Sequence, residues 1–193
     1  MKAMLRGWVL WLFLLFGSTA AQAVSNPVDF IREVSATLAG QAGRVSLPQG
    51  KFITKVARYY DFSALFDRAS KDFRTSLTVE QSERLKALFT DLLTKRMIQK
   101  AHRLIGKDLK NPQYSLKGQQ GGEATVLVRG TLGQRAVKLE FTVVSKRDVY
   151  KIVDLAVSGA LLSRNYQGQF NRIFRVEGAE GLEKRMRQQL LSL

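Results

Sequence analysis

The sequence predicts an α+β protein whose helices pack on one face of a curved antiparallel sheet. Apolar residues follow the 3.6-residue helical period before residue 106 and again after residue 159. Between residues 114 and 157 they alternate with polar residues, as strands require, and no helical stretch interrupts the alternation. Strands joined by short turns pair antiparallel, so we expect three or four strands in a meander.

Three helices are predicted before the strands. Pro27 fits the first position of a short amphipathic helix that ends near Gly40. Residues 52–73 carry an aromatic-rich stripe at helical spacing, and a helix of about 25 residues follows, ending before residue 106. Thr78 fits the N-cap of this long helix, because Gln81 stands three residues later and can bond back to the cap.

The strands are predicted from alternating segments after Asn111-Pro112, the last of them covering residues 149–157. Turn signals separate the segments at three places: Gly121–Gly122, Gly130–Gly133 and Ser145–Asp148. After Gly159 the helical period returns. We expect a helix capped at Ser163 and broken at Gly178, and a last helix from about residue 180.

The first 23 residues have the composition of a secretory signal peptide. Lys2 and Arg6 precede an apolar run of nine residues, Trp8–Phe16, and small residues lead to Ala23. A helix that spans a bilayer needs roughly 20 apolar residues, so an uncleaved anchor is the weaker alternative. We therefore expect cleavage after Ala23 and a single domain over residues 24–193, in the periplasm of a Gram-negative host.

The charge balance points to anionic partners. The 31 Lys and Arg residues outnumber the 16 Asp and Glu, and cleavage, which removes Lys2 and Arg6, lowers the formal charge only from +15 to +13. Export separates the chain from nucleic acid, which leaves anionic lipid head groups and acidic protein patches as partners. A charge that serves solubility alone is the alternative.

Catalytic chemistry has little support. The chain has no Cys and one His, which excludes disulfides, zinc–cysteine sites and most metal or triad chemistry, and no cofactor-binding motif occurs. His102 and Asp108 could form an acid–base pair. The alternative is that His102 is a surface histidine among basic neighbours. Asp154 interrupts an apolar strand, and we interpret it as a strand-end carboxylate paired with Arg or Lys, the alternative being a buried catalytic carboxyl.

The C-terminal part resembles a known family. Residues 150–170, YKIVDLAVSGALLSRNYQGQF, and the segment Glu177–Leu182 are similar to the C-terminal signature of the MlaC family, also called toluene-tolerance proteins. Tyr60–Phe62, and Thr78–Gln81 with Phe89, resemble the family's earlier blocks in the same order. The resemblance extends over nearly all of residues 24–193.

The sequence also departs from the family pattern. Residues 66–73 lack the usual Leu-Gly pair and Trp-containing stretch, and Leu161 and Gln167 stand where Ser and Arg are common. These departures bear on the ligand and the partner, not on the fold. The related HpnM-like branch, associated with hopanoid lipids, therefore stays an alternative.

The resemblance implies a fold similar to nuclear transport factor 2, with phospholipid acyl chains in an apolar cavity between sheet and helices. It implies a periplasmic carrier with no catalytic residue, cofactor or metal. The partners would be an inner-membrane Mla ABC transporter complex, through an MlaD-type protein, and an outer-membrane complex with an MlaA-type lipoprotein. Such a carrier maintains outer-membrane lipid asymmetry, binds no nucleic acid and does not insert stably into a membrane.

The cavity lining is predicted from the apolar faces of the strands and helices, each residue being a choice between lining and core. The predicted residues are Phe62, Leu65, Phe89, Leu93, Val126, Val128, Leu139, Phe141, Tyr166 and Phe170. Two other functions remain open. One is a small enzyme on the same cone-shaped fold that uses Asp154 or His102, and the other is an interaction module that holds no ligand.

Overall fold

The structure is a computed structural model. It describes residues 26–42, 57–104, 109–146 and 149–193, with side chains except at 38–42 and 98–104. The predicted signal peptide over residues 1–23, the start of the predicted helix at Phe52 and the residue Asp108 lie outside the described residues.

Helices come first, strands follow, and a long helix closes the chain, which confirms the α+β class. Within the described ranges the helices are α1 (Pro27–Ala42), α2 (Phe62–Ala69), α3 (Val79–Leu104) and α4 (Leu162–Leu191), with a 3-10 turn at Arg74–Ser76. The strands are β1 (Leu109–Gln120), β2 (Glu123–Leu132), β3 (Arg135–Lys146), β4 (Val149–Val157) and β5 (Ala160–Leu161).

The five strands form one curved antiparallel sheet in the order β1-β2-β3-β4-β5, so each strand pairs with its neighbour in sequence. Two-residue turns join β1 to β2 at Gly121–Gly122 and β4 to β5 at Ser158–Gly159, and all four turn residues have positive φ. Such turns match the twist of the flanking strands. The meander prediction is therefore confirmed, with one short extra strand.

Strand β1 begins earlier than the sequence indicated. The prediction started the strands after Asn111-Pro112, whereas β1 passes through these residues with a register shift between Lys110 and Gln113. Asn111 takes φ 50 at this irregularity. The Pro therefore sits in a bulge of an edge strand, where a missing N–H donor is tolerated.

The predicted turn at Gly130–Gly133 is wrong in its first half. Gly130 lies inside β2 opposite Val137, and the turn occupies residues 133 and 134. A Cβ atom at Gly130 would come within 2.9 Å of the Leu109 Cδ1 atom and 3.0 Å of the Lys110 carbonyl oxygen. The glycine is thus explained by the close approach of the β1 bulge.

The start of α3 agrees with the sequence. The Gln81 N–H donates to the Thr78 hydroxyl oxygen at 3.2 Å, and the Thr78 N–H donates to the Gln81 side-chain oxygen at 3.0 Å. This reciprocal pair is the predicted capping box. Tyr60 interrupts the aromatic segment that the sequence predicts as helical, because it forms a parallel bridge to Ile152 of β4, and α2 begins after it at Phe62.

The C-terminal segment is one helical run with a kink instead of two helices. Gly178 takes φ 65 and ψ −163 inside α4, so the predicted break is confirmed as a change of direction. The predicted cap at Ser163 is wrong. Leu161 occupies the N-cap position without a side-chain hydrogen bond, and Ser163 lies in the first turn of the helix.

The buried apolar residues form two groups. The first, here called the helical cluster, joins α2, α3 and α4 and is centred on residues such as Phe66, Phe89 and Leu182, all fully buried. The second, the sheet cluster, joins Phe30, Ile31 and Val34 of α1 to the central strands. The core is therefore divided between a helical layer and one face of the sheet.

Candidate functional site

One face of the sheet is apolar across four strands, and this face is the candidate site. Strand register places the side chains in two transverse lines, here called the apolar rows. The first row is Tyr114, Val128, Leu139 and Val157, and the second row is Leu116, Val126, Phe141 and Leu155. Residues at i and i+2 point to the same face of a strand, so the rows form a continuous apolar surface.

The rows are buried in the middle and exposed at the edges. Val126 and Val128 are completely covered, whereas Leu116 is 48% and Val157 49% exposed. Helix α1 covers part of this face through Phe30, Ile31 and Val34. The ends of the rows therefore present apolar surface that the described residues leave uncovered.

The structure sorts the predicted lining residues into two groups. The four strand residues lie in the apolar rows: Val126, Val128, Leu139 and Phe141. The six helical residues lie in the helical cluster: Phe62, Leu65, Phe89, Leu93, Tyr166 and Phe170. All are buried except the half-buried Leu139. Their contact with a ligand stays a prediction.

Tyr60 lies where the two clusters meet, a position that the sequence did not predict for it. Its ring packs against both clusters and stacks on Phe62, with ring centroids 5.4 Å apart. The phenol end is packed among other atoms, and this burial raises the pKa of Tyr60 to about 12. Among the described residues its hydroxyl has no hydrogen-bond partner. Only the long-range bridge to Ile152 places it here, and no local pattern encodes that bridge.

Aromatic rings and arginines surround the face near α1. Phe30 contacts Tyr59 and Tyr150, with centroid distances of 6.0 and 5.6 Å. The Arg58 guanidinium lies 4.7 Å from the Tyr59 ring centroid, and the Arg32 guanidinium lies 5.4 Å from that of Tyr114. These distances suit cation–π contact. Sequence reasoning placed Tyr114 on a strand but had no signal for the arginine above it.

Asp154 is buried for a structural reason. It is 1% exposed, and its Oδ1 atom accepts hydrogen bonds from the Leu155 N–H at 2.8 Å and the Ser163 N–H at 3.1 Å. The Ser163 hydroxyl donates to Oδ2. The expected Arg or Lys partner is wrong for this residue, since no ion pair of Asp154 occurs within the described residues.

This carboxylate takes the role of a helix cap. The first turn of α4 has backbone N–H groups with no partner in the helix, and a negative charge there is favourable. Asp154 supplies the acceptor from β4, nine residues earlier in the chain. Because the carboxylate oxygens are engaged by Ser163 and Leu155, the geometry favours a structural over a catalytic role.

The other titratable candidate is only partly placed. His102 belongs to α3, its side chain is not among those described, and Asp108 lies outside the described residues. In the described part of the chain no group of three His, Cys, Asp or Glu side chains is arranged to hold a metal ion. No helix in the same ranges is long and apolar enough to cross a membrane.

These features define the class: an α+β protein with a curved antiparallel meander, one apolar sheet face and a packed helical layer. Residues 29–188 match the sequence profile described as MlaC protein, and the chain belongs to the MlaC family. No protein with a curated description matches the sequence.

A solved structure of the same fold comes from Ralstonia solanacearum. It is a phospholipid-binding protein in complex with a phospholipid. The two chains superpose with a TM-score of 0.68 at 18% sequence identity, over 84% of this chain and 93% of that chain. At this level of sequence identity, the similarity between the two structures establishes the fold alone.

Proposed function

We propose that the protein binds a phospholipid by its acyl chains and carries it through the periplasm. The apolar rows carry this proposal, because they offer a continuous hydrocarbon-like surface whose ends at Leu116 and Val157 are about half exposed. Membership of the MlaC family and the phospholipid bound to the Ralstonia protein support the same ligand class.

The energetics require such a surface. Two ordinary acyl chains hold roughly 30 methylenes, and at about 0.8 kcal/mol each their exposure to water costs more than 20 kcal/mol. Free diffusion of a phospholipid between two membranes is therefore negligible. A soluble carrier removes the barrier by offering a second apolar environment, and no covalent bond changes.

The carrier would exchange lipid with an inner-membrane Mla ABC transporter complex, through its MlaD-type protein, and with an outer-membrane MlaA-type lipoprotein complex. This role maintains outer-membrane lipid asymmetry. It requires export, with cleavage after Ala23. Both tryptophans, Trp8 and Trp11, precede that position. The mature protein is therefore expected to begin at Val24 by intact mass and to show no tryptophan fluorescence.

The test of the ligand class is mass spectrometry of an organic-solvent extract of the exported, detergent-free protein. Near-stoichiometric diacyl phospholipid is the expected result. A hopanoid or another polycyclic lipid would instead favour the HpnM-like alternative. A lipid-free protein that also takes up no lipid from vesicles would overturn the proposal and favour the interaction module.

The test of the surface is a charge placed in an apolar row. Leu139→Glu puts a carboxylate on the half-buried centre of the first row, and we expect lipid retention to be lost while circular dichroism stays native. Val79→Glu is the matched control, because Val79 is 80% exposed at the start of α3. Full retention of lipid by a folded Leu139→Glu protein would remove this residue from the lining.

An enzyme on the same fold is the second alternative. Asp154 is 1% exposed and its carboxylate accepts three hydrogen bonds from Leu155 and Ser163, which favours a structural role over proton transfer. Replacing both Asp154 and His102 with Asn is expected to leave lipid retention unchanged in the protein that folds.

A further inference from the structure

We propose that the end of the sheet beyond the apolar rows holds a binding site for a phosphate ester. A solvent-open groove of about 400 Å³ lies there, lined by residues of β2, β3 and the β4–β5 turn. At about 30 Å³ per water molecule this volume holds a phosphate group with its glycerol and several waters. The lining residues are Arg129, Gly130, Ala136, Val137, Lys138, Ser158 and Gly159.

Two cations face each other in this groove. Arg129 of β2 is paired in register with Lys138 of β3, so both side chains leave the same face of the sheet, the one opposite the apolar rows. Directly opposed residues have Cβ atoms about 5 Å apart, and like charges at this distance destabilise a sheet. An anion bound between them relieves that repulsion.

The neighbouring carboxylate does not neutralise the pair. Glu140 Oε1 lies 2.7 Å from the Lys138 ammonium, and Oε2 lies 2.7 Å from the Lys117 ammonium. Hydrogen bonds from Lys117 and Lys138 hold the pKa of Glu140 below its ordinary value. One negative charge is thus shared by two lysines. The guanidinium of Arg129 has no acidic partner among the described residues, and a net charge of two remains.

The surroundings leave room for a ligand. Gly130, Ala136 and Gly159 place no large side chain in the groove, and Ser158, which carries a hydroxyl donor, also lines it. The Ser158 N–H donates to the Lys138 carbonyl oxygen at 2.9 Å, which fixes the turn against β3. A guanidinium, an ammonium and a hydroxyl around one cavity match the acceptor oxygens of a phosphate group.

The ester has two sources, a soluble phosphate ester or the head group of a lipid. The proposed phosphate site is independent of the proposed lipid transport. Binding of the soluble ester is measured on protein from which lipid has been extracted, so its result does not depend on whether the protein carries lipid. The probes are inorganic phosphate and glycerol 3-phosphate. Their binding is measured by the NMR chemical shifts of the Gly130 and Gly159 amides. Chloride at the same ionic strength is the reference.

We expect saturable shifts of these two amides with phosphate and glycerol 3-phosphate. Arg129→Gln is expected to weaken binding about tenfold or more, as loss of a charge-assisted hydrogen bond does. Arg172→Gln is the matched control, since Arg172 is an exposed cation on α4 outside the groove, and it is expected to leave the affinity unchanged.

Vesicles distinguish the sources. If phosphatidylglycerol vesicles sediment the protein, phosphatidylcholine vesicles do not, and Arg129→Gln abolishes sedimentation, the ester is a lipid head group. Saturable glycerol 3-phosphate binding without sedimentation assigns a soluble ester. Shifts no larger than those with chloride, or an affinity that Arg129→Gln leaves unchanged, would overturn the proposal.

Discussion

At the scale of single residues, the contact between Asp154 and Ser163 connects the last long strand to the last helix. Ser163 is 7% exposed and donates both its N–H and its hydroxyl to one carboxylate. Buried polar groups that lose a hydrogen-bond partner cost more than the bond itself contributes, because the remaining group stays desolvated.

Ser163→Ala is therefore expected to lower the free energy of unfolding by about 1–3 kcal/mol. Urea unfolding followed by circular dichroism measures the change. Ser76→Ala, at an exposed position of the 3-10 turn, is the control and is expected to stay within about 0.5 kcal/mol of the parent. A Ser163→Ala protein as stable as its parent would contradict the assigned role of this hydroxyl.

Asp61 is a second carboxylate with a structural task. Burial alone raises its pKa, but hydrogen bonds from the Ala64 N–H and the Lys146 ammonium outweigh burial and hold the pKa below its ordinary value. Asp61 caps α2 through Ala64 at 2.9 Å and connects it to the end of β3 through Lys146 at 3.0 Å.

The lowered pKa makes the contribution of Asp61 dependent on pH. It is fully present above the ordinary pKa of about 3.9 and is lost as the pH falls through the lower folded value. Asp61→Asn keeps a capping side chain without the charge, so the parent is expected to be the more stable protein at pH 7, with the difference vanishing in acid.

Urea unfolding between pH 7 and pH 2 measures this difference. Asp91→Asn removes an exposed carboxylate on α3 and is the matched control. A parent and an Asp61→Asn variant that differ equally at every pH would show that the ion pair with Lys146 has no part in stability.

At the scale of elements, two glycines in α4 have opposite roles. Gly178 combines φ 65 with ψ −163, a region that residues with a side chain rarely enter. Gly168 belongs to the same helix, has no positive φ, and an added Cβ would meet nothing within 4 Å. One glycine is required by the backbone and the other is not.

Gly178→Ala is expected to destabilise the protein by about 1–3 kcal/mol. Gly168→Ala, the control in the same helix, is expected to stabilise it by about 0.5–1 kcal/mol, because alanine loses less conformational entropy in a helix. Thermal unfolding of both variants gives the sign of each change in stability. Equal shifts in one direction would mean that the kink does not constrain residue 178.

The elements predictable from sequence are those encoded by neighbouring residues. The capping box of Thr78 and Gln81 and the strand Val149–Val157 agree with the structure because their signals are local. The predictions that are wrong involve residues distant in sequence. Strand β1 continues through Pro112 and passes close to Gly130, and the cap of α4 comes from Asp154. Local spacing carries no information about such contacts.

The residues of the candidate site also divide into those that local sequence patterns place correctly and those that depend on distant contacts. Alternation in β2 and β3 assigned Val126, Val128, Leu139 and Phe141 to one face, and the register places them in the apolar rows. The helical residues were predicted from equally clear apolar stripes, yet they pack in the helical cluster and not in the apolar rows. Periodicity tells which face of a helix is buried but not what that face meets.

At the scale of the whole molecule, Tyr60 joins the two halves of the core. The Tyr59 carbonyl accepts from the Ile152 N–H at 2.8 Å, and the Asp61 N–H donates to the Ile152 carbonyl at 2.9 Å. The ring between these bonds contacts both the helical cluster and the sheet cluster. Loss of this ring therefore affects the packing of both layers.

Tyr60→Ala is expected to cost about 3 kcal/mol of unfolding free energy, as for other aromatic truncations. Tyr60→Phe keeps the ring and removes a hydroxyl that has no hydrogen-bond partner among the described residues, so it is expected to stay within about 1 kcal/mol. Denaturant unfolding of the two variants gives the comparison. A Tyr60→Phe protein as unstable as Tyr60→Ala would assign the effect to the hydroxyl instead of the ring.

The sequential order of the strands has a consequence for how the chain folds. The hairpins β1–β2 and β2–β3 each close a loop of two residues, so the sheet can grow strand by strand with little loop-closure entropy at each step. We expect the docking of residues 59–61 on Ile152 to be slower, because it closes a loop of about ninety residues. A meander formed early would present its apolar rows to water before the helices pack on it, and at that stage the chain is most exposed to aggregation.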